Sequence, residues 1–188
     1  VELFARGFAT LDDDAGGLTG GDSFQGAVGA RWKPLTAHNF VLSGSRVFGP
    51  NVNDDWLLQA AYSLDLGTDL RVDAPSWWTT RFFAEAGRYL DAESTYGLAT
   101  LMVGRSFLVG SSGRTVLYPH GVLAAEYNST TSPRSSVGAG PGVSVRHWFR
   151  EDQYHAPRSY WDITVQYRGR LSGDDRMRGF FVNGLLSY

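Results

Sequence analysis

Residues 161–171 read WDITVQYRGRL, and apolar and polar side chains alternate along this stretch. Successive side chains of a β-strand point to opposite faces, so an alternating stretch has one apolar face and one polar face. The apolar positions are Trp161, Ile163, Val165, Tyr167 and Leu171, and the polar positions are Asp162, Thr164, Gln166, Arg168 and Arg170. The stretch therefore predicts a strand whose two faces meet different surroundings.

The same alternation recurs along the chain, and no segment shows a convincing helical stripe of period ~3.6. We predict ten strands of about 8–14 residues, separated by segments rich in Gly, Asp, Asn, Pro or Ser. The expected fold is all-β, an antiparallel up-and-down transmembrane β-barrel of about ten strands, with residues 1–188 as one domain. The strands are predicted to begin near Val1, Ser23, Asn39, Trp56, Trp78, Thr95, Val116, Ser136, Tyr160 and Met177.

Composition narrows the classes of protein to consider. The chain has 188 residues, a formal net charge of −2 and no cysteine. The charge argues against a nucleic-acid binder, and the missing thiols exclude disulfides, iron–sulfur clusters and thiolate zinc sites. No run approaches the roughly 20 apolar residues of a membrane helix. The first residues already read as strand, so we expect any export signal to be removed or to lie outside this sequence.

Alternation alone leaves open which face is the core. A soluble sandwich or lipocalin-like barrel turns its apolar face inward, whereas a membrane barrel turns that face to lipid and lines its lumen with polar groups. Aromatic pairs at strand ends, such as Trp77-Trp78 and Tyr160-Trp161, favour the membrane barrel. So do the small residues at 138–140 and the aromatic Tyr188 on the last strand. We therefore expect a bacterial outer-membrane protein in contact with the lipid bilayer.

The polar positions of the strands are the candidate functional residues, because in a membrane barrel they would line the lumen. Arginines and carboxylates can hydrogen-bond to sugar hydroxyls or attract anionic groups, and a tryptophan can offer a platform for sugar rings. The alternative is that these charges pair across strands and fill a narrow interior. By parity, Glu2 and Arg6 of the first strand belong to the same face. The predicted lumen-lining residues are Arg31, Arg81, Glu85, Arg146, Trp148, Arg150, Asp162, Gln166, Arg168 and Arg170.

Signals for catalysis or for a cofactor are weak. Histidines occur at 38, 120, 147 and 155 without a zinc-binding spacing, and there is no nucleophile elbow. His120 and Glu126 share one face of the predicted seventh strand, which leaves open an outer-membrane hydrolase or lipid-modifying enzyme with a rim site. The acidic clusters at 12–14 and 174–175 do not match a calcium loop, so solvated turns are expected there. We expect no enzyme, no metal and no cofactor. A soluble lipocalin-like barrel with an apolar ligand is the other alternative.

A longer and more specific pattern lies in residues 136–188. Its parts are GAGPGV at 138–143, RHWFR at 146–150, YHAPRSY at 154–160, QYR at 166–168 and GDDR at 173–176. In this order they resemble the C-terminal barrel domain of bacteriophage adsorption protein A, the NfrA type. The resemblance implies an outer-membrane protein linked to exopolysaccharide export, related to polysaccharide porins, and in one type a phage receptor.

The same resemblance implies partners. They are the exported polysaccharide, a phage tail protein, and a periplasmic helical-repeat protein or further barrel chains. Related porins have larger barrels, so the chain is a fragment, a piece of a wall that other chains complete, or a smaller relative. If the C-terminus is periplasmic, as the resemblance implies, the loops at 12–22, 51–55, 91–94, 128–134 and 172–176 face outward, where a phage would dock.

Overall fold

A computed structural model describes residues 1–9, 24–35, 38–49, 52–110, 112–149 and 159–187 of the chain. Within them, ten strands form one sheet in which neighbours in sequence are also neighbours in the sheet. The strands are β1 (Glu2–Ala9), β2 (Phe24–Leu35), β3 (Asn39–Gly49), β4 (Val52–Leu66), β5 (Ser76–Tyr89), β6 (Thr95–Val109), β7 (Thr115–Asn128), β8 (Ser135–Phe149), β9 (Ser159–Ser172) and β10 (Gly179–Ser187).

The all-β, antiparallel, up-and-down fold predicted from the sequence is confirmed, and each predicted strand start lies within four residues of the observed one. One short 3-10 helix, Asp175–Met177, lies between β9 and β10. In the described part of the chain, no helix has the length and hydrophobicity needed to cross a membrane. β1 and β10 stand at the two ends of the sheet order, so closure of the sheet into a ring stays a prediction.

Burial along β9 shows which face of this strand meets the protein interior. Asp162 and Gln166 are only 5% and 4% exposed. Their apolar neighbours Ile163, Val165 and Tyr167 are 48%, 39% and 44% exposed. A strand on a water-soluble sheet buries its apolar side chains and exposes its polar ones, because water solvates charges and excludes oily surface. β9 has the opposite arrangement.

β4 shows the same inversion at neighbouring positions, whereas β7 does not. On β4, Trp56 and Leu58 are half exposed while Gln59 is buried. On β7 the buried face is mostly apolar and includes Val116 and Val122. The buried face is therefore polar on β9, mixed on β4, where Leu57 is buried beside Gln59, and mostly apolar on β7.

The chain folds into two compact units. Unit 1 comprises Val1–Tyr62, Ala84–Gly97 and Asn128–Thr131, and unit 2 comprises Ser63–Phe83, Leu98–Tyr127 and Ser132–Tyr188. Unit 1 has a small apolar core of Ala27, Val47 and Leu57, against which Tyr89 and Tyr96 pack. In unit 2, β7 to β10 pair in antiparallel order. That residues 1–188 form a single domain stays a prediction.

Glycines on β8 allow close approach to β9. A Cβ at Gly140 would meet the backbone carbonyl oxygen of Tyr167, which cannot move without shifting the strand. A Cβ at Gly142 would lie 2.5 Å from His120 Nε2 and 2.8 Å from the Gln166 Cγ. Since Gly142 is opposite both residues in register, its missing side chain leaves the space in which β7 and β9 side chains meet across β8.

Replacing Gly140 with alanine is expected to lower the free energy of unfolding by about 1–3 kcal/mol, because overpacking forces backbone shifts. Gly169→Ala is the matched control on β9, since a Cβ there would lie at an ordinary 3.8 Å from the Ala139 carbonyl oxygen. Urea titration of both variants in detergent micelles measures the difference. Equal stabilities would contradict the close packing of β8 against β9.

Candidate functional site

The most buried charges of unit 2 form a network around Asp162. The Arg146 guanidinium reaches the Asp162 Oδ2 through Nη2 at 2.8 Å and through Nε at 2.9 Å. Arg81 Nη1 lies 3.6 Å from the same oxygen, and Arg81 Nε lies 3.6 Å from Asp65 Oδ1. The structure thus brings together three of the predicted lumen-lining residues and adds Asp65, which the sequence analysis did not include in that set.

Two different features of the sheet place these charges together. Arg146 on β8 is directly opposite Asp162 on β9 in the strand register, so their side chains share a face. Arg81 belongs to β5, which is not a neighbour of β9 in the sheet order. The Arg81–Asp162 pair therefore joins two strands that are not adjacent in the sheet, across the buried side of unit 2. Arg146 also crosses it, donating to the Thr68 carbonyl oxygen after β4 at 3.1 Å.

The second carboxylate oxygen of Asp162 is also bound. Asp162 Oδ1 accepts a hydrogen bond from Thr164 Oγ1 at 3.0 Å. The Thr164 hydroxyl in turn lies 2.6 Å from the Ser144 hydroxyl on β8. A buried charge is tolerated when it is both paired and hydrogen-bonded, and Asp162 meets both conditions.

A second set of contacts in unit 2 centres on Gln166. Its Oε1 accepts from Arg168 Nε at 3.1 Å and from Arg168 Nη2 at 2.6 Å. Its Nε2 lies 3.2 Å from His120 Nε2 and 3.0 Å from Met102 Sδ. His120 Nδ1 is 2.9 Å from the Tyr118 carbonyl oxygen, which can only accept. Nδ1 therefore carries a proton, and Nε2 is the acceptor for the Gln166 amide.

Unit 1 has its own polar cluster, centred on Gln59. Gln59 Oε1 accepts from Arg6 Nη2 at 2.5 Å, and its Nε2 donates to Glu85 Oε1 at 3.0 Å. The Tyr96 hydroxyl lies 2.5 Å from the Gln59 amide nitrogen and donates to Glu85 Oε1 at 2.7 Å. Of these residues, Glu85 is in the predicted lumen-lining set, and parity assigns Arg6 to the same face. Gln59 alternates with the apolar Leu58 along β4, and this alternation is the signal that could have placed Gln59 in the predicted lumen-lining set.

Trp148 is buried, so its ring is not exposed as the predicted platform for sugar rings. Only 7% of its surface is exposed, and its ring lies 4.8 Å from that of Tyr160. The Arg146 guanidinium lies 4.3 Å from the Tyr160 ring centroid and 5.6 Å from the Trp148 centroid. These contacts make the aromatic pair a support that holds Arg146 in place.

The remaining predicted residues are not in these networks. Arg31 pairs with Glu2 at 2.6 Å and Arg170 pairs with Asp175 at 3.4 Å, and all four side chains are more than half exposed. Arg150 lies outside the described residues. Exposed pairs of this kind contribute little to stability, because water and salt screen the charges.

His120 and Glu126, the pair considered for a rim site, have different partners. They are six residues apart on β7, which is about 20 Å along a strand. His120 contacts Gln166, whereas Glu126 Oε1 accepts from Arg176 Nη1 at 3.2 Å. Among the residues that the structure describes, no group of three or more His, Cys, Asp or Glu side chains is placed to hold a metal ion.

The acidic cluster after β9 has a structural partner. Asp174 accepts from Arg176 Nε at 2.8 Å and 2.9 Å through its two carboxylate oxygens, and from the Arg176 backbone N–H at 3.2 Å. This hydrogen bonding holds the pKa of the Asp174 carboxyl below its usual range. Arg176 also donates to the Pro133 carbonyl oxygen at 2.9 Å, so it links two connections of unit 2. The other acidic cluster, at 12–14, lies outside the described residues.

Comparison with known proteins yields one family. The family model described as Bacteriophage N adsorption protein A C-term matches residues 16–184. No curated protein and no solved structure matches the chain significantly. The matched span is much longer than the segment 136–188 that carries the resemblance in the sequence, and it includes residues of both units.

Proposed function

Because this chain belongs to the bacteriophage N adsorption protein A C-terminal family, we propose that it forms an outer-membrane β-barrel that conducts a surface exopolysaccharide and receives phage at its outer loops. Phage adsorption takes place at the cell surface, so the family is one of cell-surface proteins. The finer assignments to the outer membrane, to polysaccharide transport and to a non-enzymatic role are part of the proposal.

The inverted burial pattern is the observation that carries the proposal. Asp162 and Gln166 are buried, while Ile163 and Val165 between them are exposed. In water this arrangement forgoes the roughly 25 cal/mol that burial gains per Å² of apolar surface. In a bilayer the exposed side chains contact hydrocarbon instead, and a closed sheet satisfies its own backbone hydrogen bonds. The exposed large apolar residues of unit 2 include Leu64, Trp78, Val103, Phe107, Leu123 and Val143.

The polar networks are proposed as the inner wall of the conduit. Arg81, Arg146, Asp162, Gln166 and Arg168 share the buried face of unit 2 with hydroxyl and amide groups, which is chemistry suited to sugar hydroxyls. The side chains of Arg81 and Arg146 reach across this face to Asp162 and Thr68, so they occupy part of the interior of unit 2. Among the described strands, β1 and β10 each have a single neighbour, so each has an edge with which further strands could pair to widen the wall.

The outer connections are the proposed phage-docking surface. In an up-and-down barrel every second connection lies at the same end, and the orientation implied by the family puts the connections after β1, β3, β5, β7 and β9 outside. Arg176 holds one of these connections in place through Glu126 and Pro133. A connection held in this way presents a defined surface to a partner.

Conductance tests the conduit. In planar lipid bilayers the purified chain is expected to produce stepwise increases in current. Arg81→Gln should shift ion selectivity toward cations, because it removes a positive charge from the proposed wall. Arg105→Gln is the matched control, since Arg105 is exposed on the other face of unit 2, between Val103 and Phe107. Absence of current from protein that has inserted into vesicles would contradict the conduit.

A further inference from the structure

Unit 2 contains a cavity of about 420 Å³ on its buried face. Ligand pockets for small molecules typically have volumes of about 300–1,000 Å³, so the cavity is large enough for a small ligand. Its lining combines polar groups with aromatic and aliphatic side chains. The lining residues that matter here are Arg81, Thr100, Asp162, Arg168, Phe181 and Asn183.

Arg168 brings an uncompensated positive charge to this cavity. Among the described residues its polar contacts are with Gln166, a neutral amide, and with the Met177 sulfur at a long 3.7 Å. No carboxylate of the described chain pairs with it, and further N–H groups of the guanidinium are left for a ligand. A half-buried cation without a counterion is costly, and a bound anion would offset that cost.

The other charges of the lining are already paired. Asp162 is bound by Arg146 at 2.8 Å and lies 3.6 Å from Arg81, so it does not neutralise Arg168. The net charge offered to a ligand in this cavity is therefore positive, and it is located at Arg168.

The guanidinium is held in position and has open space beside it. It lies 4.1 Å from the centroid of the Phe181 ring, and Gln166 fixes one of its edges. Its direct neighbour on β10 in register is Gly179, where even an added Cβ would meet nothing within 4 Å. A planar cation held in this way is suited to bind a carboxylate through two parallel hydrogen bonds.

We propose that this cavity binds an acidic saccharide, with Arg168 binding the carboxylate of a uronate residue. Asn183 and Thr100 offer an amide and a hydroxyl to sugar hydroxyls, and Phe181 offers an apolar surface to the ring. The inference rests on the proposed function in one respect, that the ligand is a saccharide, and it goes further by assigning the charge of the glycan.

Titration calorimetry of the full chain in detergent micelles tests the site. The probes are a hyaluronan tetrasaccharide, which carries uronates, and neutral chitotetraose. We expect the acidic probe to bind more tightly, and Arg168→Gln to weaken its binding by about 10–100-fold, the size of a lost charge-assisted hydrogen bond. Arg170→Gln, on the same strand but exposed and paired with Asp175, should leave the affinity unchanged.

A change in the ligand gives the same test without a variant. Methyl esterification of the uronates removes their charge and should weaken binding to the unaltered chain by about 10–100-fold. Equal binding of the acidic, esterified and neutral probes would overturn the role of Arg168 while leaving a saccharide conduit in place. If no probe binds to a chain that still conducts in bilayers, the site is wrong but the conduit stands. If the chain neither binds nor conducts, both proposals fail.

Discussion

Replacing Asp162 with asparagine is expected to lower the free energy of unfolding by about 3–5 kcal/mol. The substitution keeps the shape of the side chain and removes its charge. Arg146, whose side chain is 12% exposed, would then be left as a buried cation without its counterion. Arg81 would lose the same partner. Denaturant titration in detergent micelles, followed by tryptophan fluorescence, measures the change.

Asp175→Asn is the matched control for this prediction. Asp175 pairs with Arg170 in the same unit, but both side chains are more than half exposed, so the loss should stay within about 1 kcal/mol. A double variant, Arg146→Met with Asp162→Leu, should recover part of the lost stability, because a packed apolar pair replaces the Arg146–Asp162 ion pair while Arg81 still lacks its Asp162 partner. If Asp162→Asn costs no more than Asp175→Asn, the buried network does not stabilise unit 2.

Replacing Val165 with arginine is expected to cost about 2–4 kcal/mol in a bilayer. Val165 is the seventh of the 14 residues of β9, and its side chain is 39% exposed on the apolar face. Under the proposed function β9 spans the membrane, and a charge near its middle on this face would sit in hydrocarbon. Unfolding of the protein from phosphatidylcholine vesicles in guanidinium chloride measures the cost.

The variant Leu171→Arg tests whether the apolar face of β9 is surrounded by lipid or by water. Leu171 is near the end of β9, where the pairing with β8 shifts register, and it is 65% exposed. A charge near the membrane interface should cost only about 0–1 kcal/mol. In water, arginine at either exposed position would have little effect. A cost that is equally small at both positions would therefore show that the apolar face does not meet a bilayer.

Most of the fold can be predicted from the sequence, because a strand has a short period that a single segment displays. The alternation in 161–171 identifies β9 and assigns Asp162 and Gln166 to one face without any knowledge of neighbouring strands. The network around Gln59 is different. Gln59, Glu85 and Tyr96 come from β4, β5 and β6, and their meeting depends on how those strands align.

The sequence alone determined the number of strands, their order in the sheet and the chemical difference between their faces, since these follow from the two-residue period and the short connections. Only the tertiary structure decided that the polar face of β9 is the buried one, that Arg81 reaches Asp162 across the interior, and that Arg168 has no carboxylate partner among the described residues. The reason is physical. Which side chains face each other across a sheet depends on its register and curvature, and these arise only when all the strands pack together.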